Sequence, residues 1–164
     1  MINLNFIKKE LVESIRFYLL EYEMTVSAAE SCTGGFVSHC LTSKKRASNY
    51  FKGAVIAYDN EIKKKFLKIS QCEINKYGVV SKYVAELMAK AIREQFNTDF
   101  GFATTGYVDV YYKGNKKYSN LYAWISISSN TFVNSKLVNL TGKRTENISI
   151  VTNELFKLFR KEII

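Results

Sequence analysis

Apolar residues recur every three or four positions in several segments of the chain. In residues 6–22 the spacing of Ile7, Leu11, Ile15 and Leu19 predicts an amphipathic helix. Similar spacing predicts further helices over residues 36–41, after a cap at Asp59 or Asn60, from a cap at Ser81 to residue 96, and over residues 145–161. Because each of these helices has one apolar face, each must pack that face against another element of the fold.

Short apolar runs between the helices predict strands. They lie at residues 24–29, 51–58, 99–105, 121–128 and 131–140, with a turn at 129–130 between the last two. Helices alternate with strands at first, and a hairpin follows late in the chain. This order predicts an α/β fold, a three-layer α/β/α sandwich with a mixed sheet of about five strands. We see no internal repeat and no linker, so we expect residues 1–164 to form a single domain.

The composition is consistent with one compact unit and leaves the meaning of the charge open. The chain has no proline and is 47% hydrophobic, which excludes a proline-rich linker and provides enough apolar surface for a core. Its formal net charge is +9, which favours nucleic acid, anionic lipid or phosphorylated small molecules as partners. AT-rich coding DNA raises the same residue types, so the charge alone does not choose among these partners.

Other features of the sequence bear on location. No segment approaches the ~18 consecutive apolar residues of a membrane span, and residues 1–14 carry charges where a signal peptide needs an apolar run. Cys32, Cys40 and Cys72 are odd in number and irregularly spaced, which fits reduced thiols better than a disulfide framework. We therefore expect a cytoplasmic protein with no membrane partner.

The loop over residues 30–35 is the most informative segment. A strand ends there, the hydroxyl-bearing Ser31 and Thr33 follow, and Gly34 and Gly35 open a helix. Glycines let a backbone approach a ligand, and the free N–H groups at a helix start favour an anion or a developing oxyanion. A plain strand–helix connection with a Ser or Thr cap explains the same pattern, so the loop alone leaves both interpretations open.

Two other groups of residues have chemically active side chains. Cys32 and His39 do not form a cysteine-hydrolase pair if they share a helix, because seven residues rise about 10 Å. The cysteines and the histidine also lack zinc-site spacing, so no metal is expected. Lys143 and Arg144, at a predicted helix start, have the chemistry to hold a phosphate, but a solvated basic helix terminus explains them equally well.

Residues 28–35 read AAESCTGG. This segment looks like the AESCTGG signature of the CinA C-terminal domain family, which includes the stand-alone nicotinamide-nucleotide amidases. Further segments similar to family motifs follow in family order: SNYFKG at 48–53, AYDNEIK at 57–63, YGVVS at 77–81, TTG at 104–106 and LTGKR at 140–144. The resemblance covers most of the chain, and the combination of AESCTGG with Y-x-N-x-x-K is specific.

The resemblance implies both a fold and an activity. It implies an α/β/α domain that hydrolyses nicotinamide mononucleotide, or a related nucleotide amide, to the acid and ammonia. It also implies no metal and no cofactor, and commonly an oligomer, here expected to be a homodimer. We expect the stand-alone form, without the additional N-terminal domain that full-length CinA proteins carry.

Residues that match the family motifs receive roles in this reaction, which needs a nucleophile, a base and oxyanion donors. Ser31 is expected to be the nucleophile or to orient the attacking water. Lys63 is expected to be the base, if burial or a neighbouring cation lowers its pKa. Tyr58 would relay a proton or donate a hydrogen bond, and Thr105 with the loop N–H groups would polarise the amide oxygen. The expected substrate-binding residues are Glu30, Thr33, Gly34, Gly35, Ser48 and Gly106, with Arg144 on the nucleotide phosphate.

The segment after Gly106 departs from the family pattern. Where the family has I-A-G-P-x-G-G and then K-P-V-G-T-V, residues 107–121 read YVDVYYKGNKKYSNL, and Lys143 replaces the acidic residue of G-D-R. Three interpretations stay open: an amidase with a remodelled loop, a CinA-like binding or regulatory module without catalysis, and a protein whose basic, tyrosine-rich loop binds single-stranded nucleic acid. Retention of the four catalytic candidates favours the first, and nucleic acid is the least expected partner.

Overall fold

The computed structural model describes residues 7–163 and contains a five-stranded sheet and a separate two-stranded hairpin. The helices are α1 (Lys9–Glu21), α2 (Phe36–Thr42), α3 (Ala47–Tyr50), α4 (Asn60–Leu67), α5 (Gln71–Tyr77), α6 (Lys82–Phe96) and α7 (Arg144–Ile163). The strands are β1 (Val26–Glu30), β2 (Phe51–Ile56), β3 (Phe100–Tyr107), β4 (Tyr111–Lys113), β5 (Lys116–Tyr118), β6 (Leu121–Ser128) and β7 (Val133–Leu140). In this part of the chain no helix has the length and apolar character needed to cross a membrane.

The main sheet is mixed, as predicted. Its strand order is β2-β1-β3-β6-β7, with β1 parallel to β2 and β3, and with β6 and β7 antiparallel to their neighbours. After β1 the chain continues to β2, which lies on one side of β1. After β3 it continues, through the β4–β5 hairpin, to β6, which lies on the opposite side of the sheet. The crevice between the carboxyl ends of β1 and β3 is therefore the switch point where open α/β sheets bind ligands.

Two apolar cores cover the two faces of the sheet, which confirms the three-layer prediction. On one face α1, α2, α3 and α7 pack around Phe102, Phe156 and Phe159. On the other face α4, α5 and α6 pack around Leu67 and Met88. Successive strand residues point to opposite faces, so β1 contributes to both cores and is buried along its whole length. The sequence of a strand that is buried on both faces is typically a continuous run of apolar or small residues, as in β1.

Most predicted elements are present, with shifted ends. Asp59 caps α4 by accepting from the Glu61 N–H at 2.7 Å, and Ser81 caps α6 by accepting from Val84 N–H at 3.2 Å. The strands predicted over 24–29, 51–58 and 131–140 are shorter at one end than expected, and β1 extends one residue further, to Glu30. The helix predicted over 6–22 is α1, and residue 6 lies outside the described residues.

Three elements were not predicted: the short helices α3 and α5 and the β4–β5 hairpin. The signal for α5 was a capping box, in which Ser70 and Glu73 each accept from the other's backbone N–H. The signal for the hairpin was the Gly114–Asn115 pair, which forms the two-residue loop between the paired Lys113 and Lys116. The segment that departs from the family pattern is thus a regular hairpin rather than an irregular loop.

Candidate active site

A cavity of about 220 Å³ opens at the carboxyl ends of β1 and β3. It brings together six of the residues predicted from the sequence, which are Ser31, Tyr58, Lys63, Thr105, Gly106 and Arg144. These residues come from four separate segments of the chain, which only the fold brings together. Among the described residues, five that were predicted for the site do not line this cavity: Glu30, Thr33, Gly34, Gly35 and Ser48.

Ser31 lies at the base of the cavity, directly after β1. Its backbone N–H donates to the carbonyl oxygen of Thr104 at 3.0 Å, so the pairing of β1 with β3 continues to this residue. Only 8% of the residue is exposed. The hydroxyl is therefore held in a fixed position by the sheet and screened from most solvent.

Lys63 is buried beside Ser31, with 1% of the residue exposed. Its Nζ donates to Ser31 Oγ at 3.1 Å, to the Ala57 carbonyl at 2.7 Å and to the Tyr58 carbonyl at 3.4 Å. Side chains on a helix lean toward its N-terminus. Lys63 is in the first half of α4, and this lean carries its amine back to the end of β2 and to Ser31.

Burial lowers the pKa of Lys63 below the usual lysine value, and the negative charge of Asp59 opposes that shift in part. Desolvation acts this way because it disfavours the charged form of the amine. The sequence prediction of a lysine base required such a lowered pKa. With three donated hydrogen bonds the amine has the contacts of its ammonium form. Once it loses a proton, its lone pair can accept the proton of the Ser31 hydroxyl 3.1 Å away, which is the arrangement of a base next to a nucleophile.

Tyr58 and Arg144 meet at the mouth of the cavity. The Arg144 guanidinium donates to the Tyr58 phenol oxygen, across 86 positions of sequence. Both side chains are exposed, with Tyr58 at 58%. Tyr58 thus contributes its ring and hydroxyl at the entrance, while its backbone carbonyl contacts Lys63 below.

Thr105 lines the cavity, but its hydroxyl proton is already bonded. Its Oγ1 donates to the Val79 carbonyl at 3.0 Å, and the residue is 1% exposed. We expected this hydroxyl to polarise the amide oxygen of a substrate. With its one proton on Val79, the hydroxyl presents only lone pairs to the cavity, and Thr105 connects β3 to the segment before α6.

Glu30, which was predicted to contact substrate, supports the loop in the structure. Its carboxylate accepts from the N–H groups of Gly35 (2.9 Å), Val37 (3.1 Å) and Ser38 (2.7 Å) and from two hydroxyls, those of Thr33 (2.7 Å) and Ser38 (2.6 Å). It is 1% exposed. A carboxylate at a helix N-terminus satisfies the unpaired N–H groups there, so Glu30 occupies the anion position that the sequence suggested for a ligand.

The remaining loop residues have related structural roles. Thr33 donates to Glu30, so the 2.7 Å contact between Thr33 and Thr104 has Thr104 as its donor. Gly34 and Gly35 have positive φ angles of 58° and 99°, which strain any other residue. These glycines let the chain turn from β1 into α2. They therefore determine the path of the loop that follows Ser31, and neither glycine lines the cavity.

Ser48 and Gly106 differ from expectation in separate ways. Ser48 lies exposed on α3 and does not line the cavity. Gly106 lines the cavity, but its lack of a side chain is needed on the other side. A Cβ there would lie 2.5 Å from Ala123 Cβ and 2.8 Å from the Tyr122 carbonyl oxygen. Gly106 is therefore a site of close approach between β3 and β6.

Tyrosines form one wall of the cavity, in the segment that departs from the family pattern. Tyr107 and Tyr111 both line it, with ring centroids 4.6 Å apart and planes 18° apart. Tyr118 stacks on the other side of Tyr111 at 4.8 Å, and Tyr122 packs edge-on against Tyr107. We call Tyr107, Tyr111 and Tyr118 the tyrosine stack. It borders the cavity and leaves it open beside Ser31 and Lys63.

Cys32 lines the cavity next to Ser31 but is chemically unsuited to act there. Burial raises the pKa of its thiol to about 12, so the reactive thiolate is scarce at neutral pH. His39 is exposed on α2, stacked on Phe36. Among the described residues Cys32, Cys40 and Cys72 are all free thiols. Cys32 lies in the loop before α2 and His39 on that helix, so the two residues do not share a helix.

Sequence reasoning missed Asn147, which is fully buried on α7. Its side chain bonds to the backbone of Gly142 and Val108, the second of which lines the cavity. The only signal for it was an amide at an otherwise inward-facing position of the predicted helix. That signal is weak, because an asparagine on a helix most often faces solvent.

The fold and the site define an α/β protein with a buried serine–lysine pair at the switch point of its sheet. The sequence model of the family described as "CinA C-terminal domain" matches residues 8–163, and the chain belongs to this family. A CinA-like protein of Flavobacterium psychrophilum is 39% identical over 89% of this chain and 35% of its own length. Protein MG115 of Mycoplasma genitalium is 36% identical over 86% of this chain and 89% of its own length.

Solved structures agree on the fold. A competence-damaged protein (CinA) superfamily protein from Enterobacter cloacae matches with a TM-score of 0.88 at 17% identity, over 95% of this chain and 92% of that one. A competence/damage inducible protein from Agrobacterium tumefaciens matches with a TM-score of 0.86 at 22% identity, over 93% of each chain. The chain spans about a third of the length of the F. psychrophilum relative and most of the M. genitalium one.

Proposed function

We propose that this protein hydrolyses the amide of nicotinamide mononucleotide, or of a related nucleotide amide, to the carboxylic acid and ammonia. The observation that carries the proposal is the 3.1 Å contact between Lys63 Nζ and Ser31 Oγ at the base of an open cavity. Burying a lysine costs folding free energy because burial disfavours the ammonium, and buried groups with shifted pKa values occur most often at functional sites.

The pair supports a two-step reaction. Neutral Lys63 takes the Ser31 proton as Oγ attacks the amide carbon, and the resulting ammonium gives that proton to the departing nitrogen, which leaves as ammonia. Water then hydrolyses the acyl ester, again with Lys63 as the base, and restores Ser31. The Thr105 proton is on Val79, and the N–H groups of Gly34, Gly35, Val37 and Ser38 are bonded within the protein. The backbone N–H of Cys32, which lines the cavity next to Ser31, is therefore the proposed donor to the oxyanion.

The shape and lining of the cavity fit a nucleotide amide bound by its reacting end. At about 220 Å³ the cavity is smaller than the ~300–1,000 Å³ pockets that bury a drug-sized ligand whole. The amide and its ring would enter beside Tyr107 and Tyr111. The ribose phosphate would remain at the mouth, where the Arg144 guanidinium is exposed and suited to bind a phosphate.

Ammonia release from nicotinamide mononucleotide by the purified protein tests the proposal. Ser31→Ala and Lys63→Met are expected to lower kcat by about 10³-fold or more. Lys64→Met is the matched control, because Lys64 lies on the same helix but pairs with Glu61 at the surface. A folded wild-type protein that releases no ammonia from this substrate or from a panel of other nucleotide amides would overturn the proposal.

Ligand binding without catalysis is a second candidate, and one observation favours it. The Thr105 hydroxyl that we expected to assist the reaction is bonded to protein. Calorimetry with nicotinamide mononucleotide separates the two candidates, since a binding module gives a binding isotherm and no ammonia. Binding of an oligonucleotide that weakens steeply with salt would instead favour the nucleic-acid interpretation.

A further inference from the structure

We propose that Asn147 is a positioning residue that holds Arg144 over the cavity by tying the start of α7 to the end of β3. The inference rests on the proposed function, because it assigns Asn147 an effect on substrate binding. Asn147 acts through Arg144 and the backbone around it, and nothing in its geometry brings it to the reacting atoms.

The side chain of Asn147 makes hydrogen bonds to two separate backbone segments. Its Nδ2 donates to the Val108 carbonyl at 2.9 Å and to the Gly142 carbonyl at 2.7 Å, and its Oδ1 accepts from the Gly142 N–H at 3.0 Å. The residue has no exposed surface. A buried amide with both N–H groups and its oxygen satisfied is a rigid link, because each broken bond would leave a buried polar group unpaired.

The two segments that Asn147 joins belong to opposite parts of the site. Val108 lines the cavity directly after β3, next to the tyrosine stack. Gly142 forms the turn two residues before Arg144, and Arg144 is the first residue of α7. Fixing Gly142 against Val108 therefore fixes where α7 begins relative to the cavity, and with it the root of the Arg144 side chain.

The turn is built to depend on Asn147. A Cβ at Gly142 would lie 2.8 Å from Glu146 Oε2 and 3.2 Å from Asn147 Oδ1, so the chain approaches both side chains closely. Glu146 also accepts from the Lys143 N–H at 3.0 Å. Glu146 caps the helix within its own turn, whereas Asn147 alone of these two reaches across to Val108.

Kinetics of Asn147→Asp test the inference. The substitution keeps the shape but removes both N–H donors and sets an oxygen against two carbonyls. We expect KM for nicotinamide mononucleotide to rise about tenfold while kcat stays within about twofold, the pattern of lost binding shared by ground and transition states. Arg144→Ala should show the same pattern. If Asn147→Asp does not fold, Asn147→Ser, whose hydroxyl is too short to reach both carbonyls, is measured in the same way.

A double-mutant cycle distinguishes positioning from general destabilisation. If Asn147 acts through Arg144, Asn147→Asp should change KM by less than about twofold in an Arg144→Ala background. Thr152→Val is the control: Thr152 is buried on the same helix and donates only within it, to Ile148. It should lower the unfolding free energy without raising KM.

The outcomes separate the two proposals. A wild-type protein without amidase activity overturns the proposed function and this inference with it. An active wild type in which Asn147→Asp lowers stability but leaves KM unchanged, or in which its KM effect is the same with and without Arg144, overturns the inference alone.

Discussion

Lys63 Nζ lies 3.1 Å from Ser31 Oγ, and the two residues are 32 positions apart in sequence. Ser31 is fixed by the pairing of β1 with β3, and Lys63 by the direction of α4 after β2. The sheet order places β1 between β2 and β3, so both residues reach the same crevice. The lowered pKa of Lys63 follows from this location, because the amine is enclosed where the two strands end.

The first prediction concerns the pH dependence of turnover. If neutral Lys63 is the base, kcat/KM should rise with pH, with a midpoint below the usual lysine value of about 10.4. Cys32 and Tyr107 do not account for such a rise, because burial raises the pKa of each to about 12. A steady-state series from about pH 6 to 10 measures the midpoint.

Lys64→Met serves as the control for this profile and should keep the same midpoint, since Lys64 pairs with Glu61 away from the cavity. A midpoint at or above the usual lysine value would show that Lys63 does not titrate as the base.

The second prediction is that Lys63→Met removes a pH-dependent part of the folding free energy. The folded-state pKa of Lys63 is lowered, so between that pKa and the unfolded value of about 10.4 the unfolded chain binds more protons. In that window the stability of the wild type rises with pH, and this gain is absent below the folded-state pKa. Methionine does not titrate and contributes no pH dependence. The difference in unfolding free energy between the wild type and Lys63→Met should therefore increase with pH.

Urea unfolding of both proteins between about pH 7 and 10 measures this difference. Lys64→Met should show the wild-type slope, because its amine is not buried among backbone carbonyls. Parallel stability curves for wild type and Lys63→Met would mean that Lys63 keeps an ordinary pKa in the folded protein.

The third prediction concerns the tyrosine stack. Tyr111 lines the cavity and stacks between Tyr107 and Tyr118. Tyr111→Leu should raise KM for a pyridine nucleotide by about tenfold, since stacking of a base on an aromatic ring contributes about 1–3 kcal/mol. Tyr111→Phe keeps the ring and should stay within about twofold of the wild type. Equal KM values for the Leu and Phe variants would exclude the ring as a substrate contact.

The fourth prediction concerns Glu30, whose carboxylate caps α2 from inside the loop. Glu30→Gln replaces one accepting oxygen with an NH₂ group that faces N–H donors of Gly35, Val37 or Ser38. We expect the unfolding free energy to fall by about 2–4 kcal/mol. Urea unfolding measures the loss, and Glu73→Gln is the control, because Glu73 caps α5 at the surface and should lose less stability than Glu30→Gln. A loss at Glu30 no larger than that at Glu73 would contradict the structural role.

The layers of the fold were predictable from sequence because they depend on local patterns. Helical periodicity and apolar runs gave every strand of the main sheet, and the caps at Asp59 and Ser81 are where the side-chain chemistry indicated. The β4–β5 hairpin was harder to predict, because its two strands have only three residues each. Its own signal, Gly114–Asn115 between paired residues, was local and present.

The site was predictable in part for the same reason. Ser31 and Lys63 belong to specific motifs, and the structure brings them together. The hydrogen-bond partners of Thr105 and Glu30 were not predictable, because Val79 and the α2 N–H groups approach them only after the chain folds. A motif identifies which residues matter, whereas the direction in which a hydroxyl or carboxylate bonds depends on neighbours from other segments.

The last prediction separates packing from substrate contact at Gly106. A Cβ at this position meets Ala123 Cβ at 2.5 Å and the Tyr122 carbonyl at 2.8 Å, so β3 and β6 must separate to admit it. Gly106→Ala should therefore lower the unfolding free energy by about 1–3 kcal/mol in urea unfolding. Adding Ala123→Gly removes the closest of these contacts but not the carbonyl, so the double variant should regain part of the loss. A residue that only contacted substrate would behave differently: Gly106→Ala would raise KM at unchanged stability, and Ala123→Gly would restore nothing.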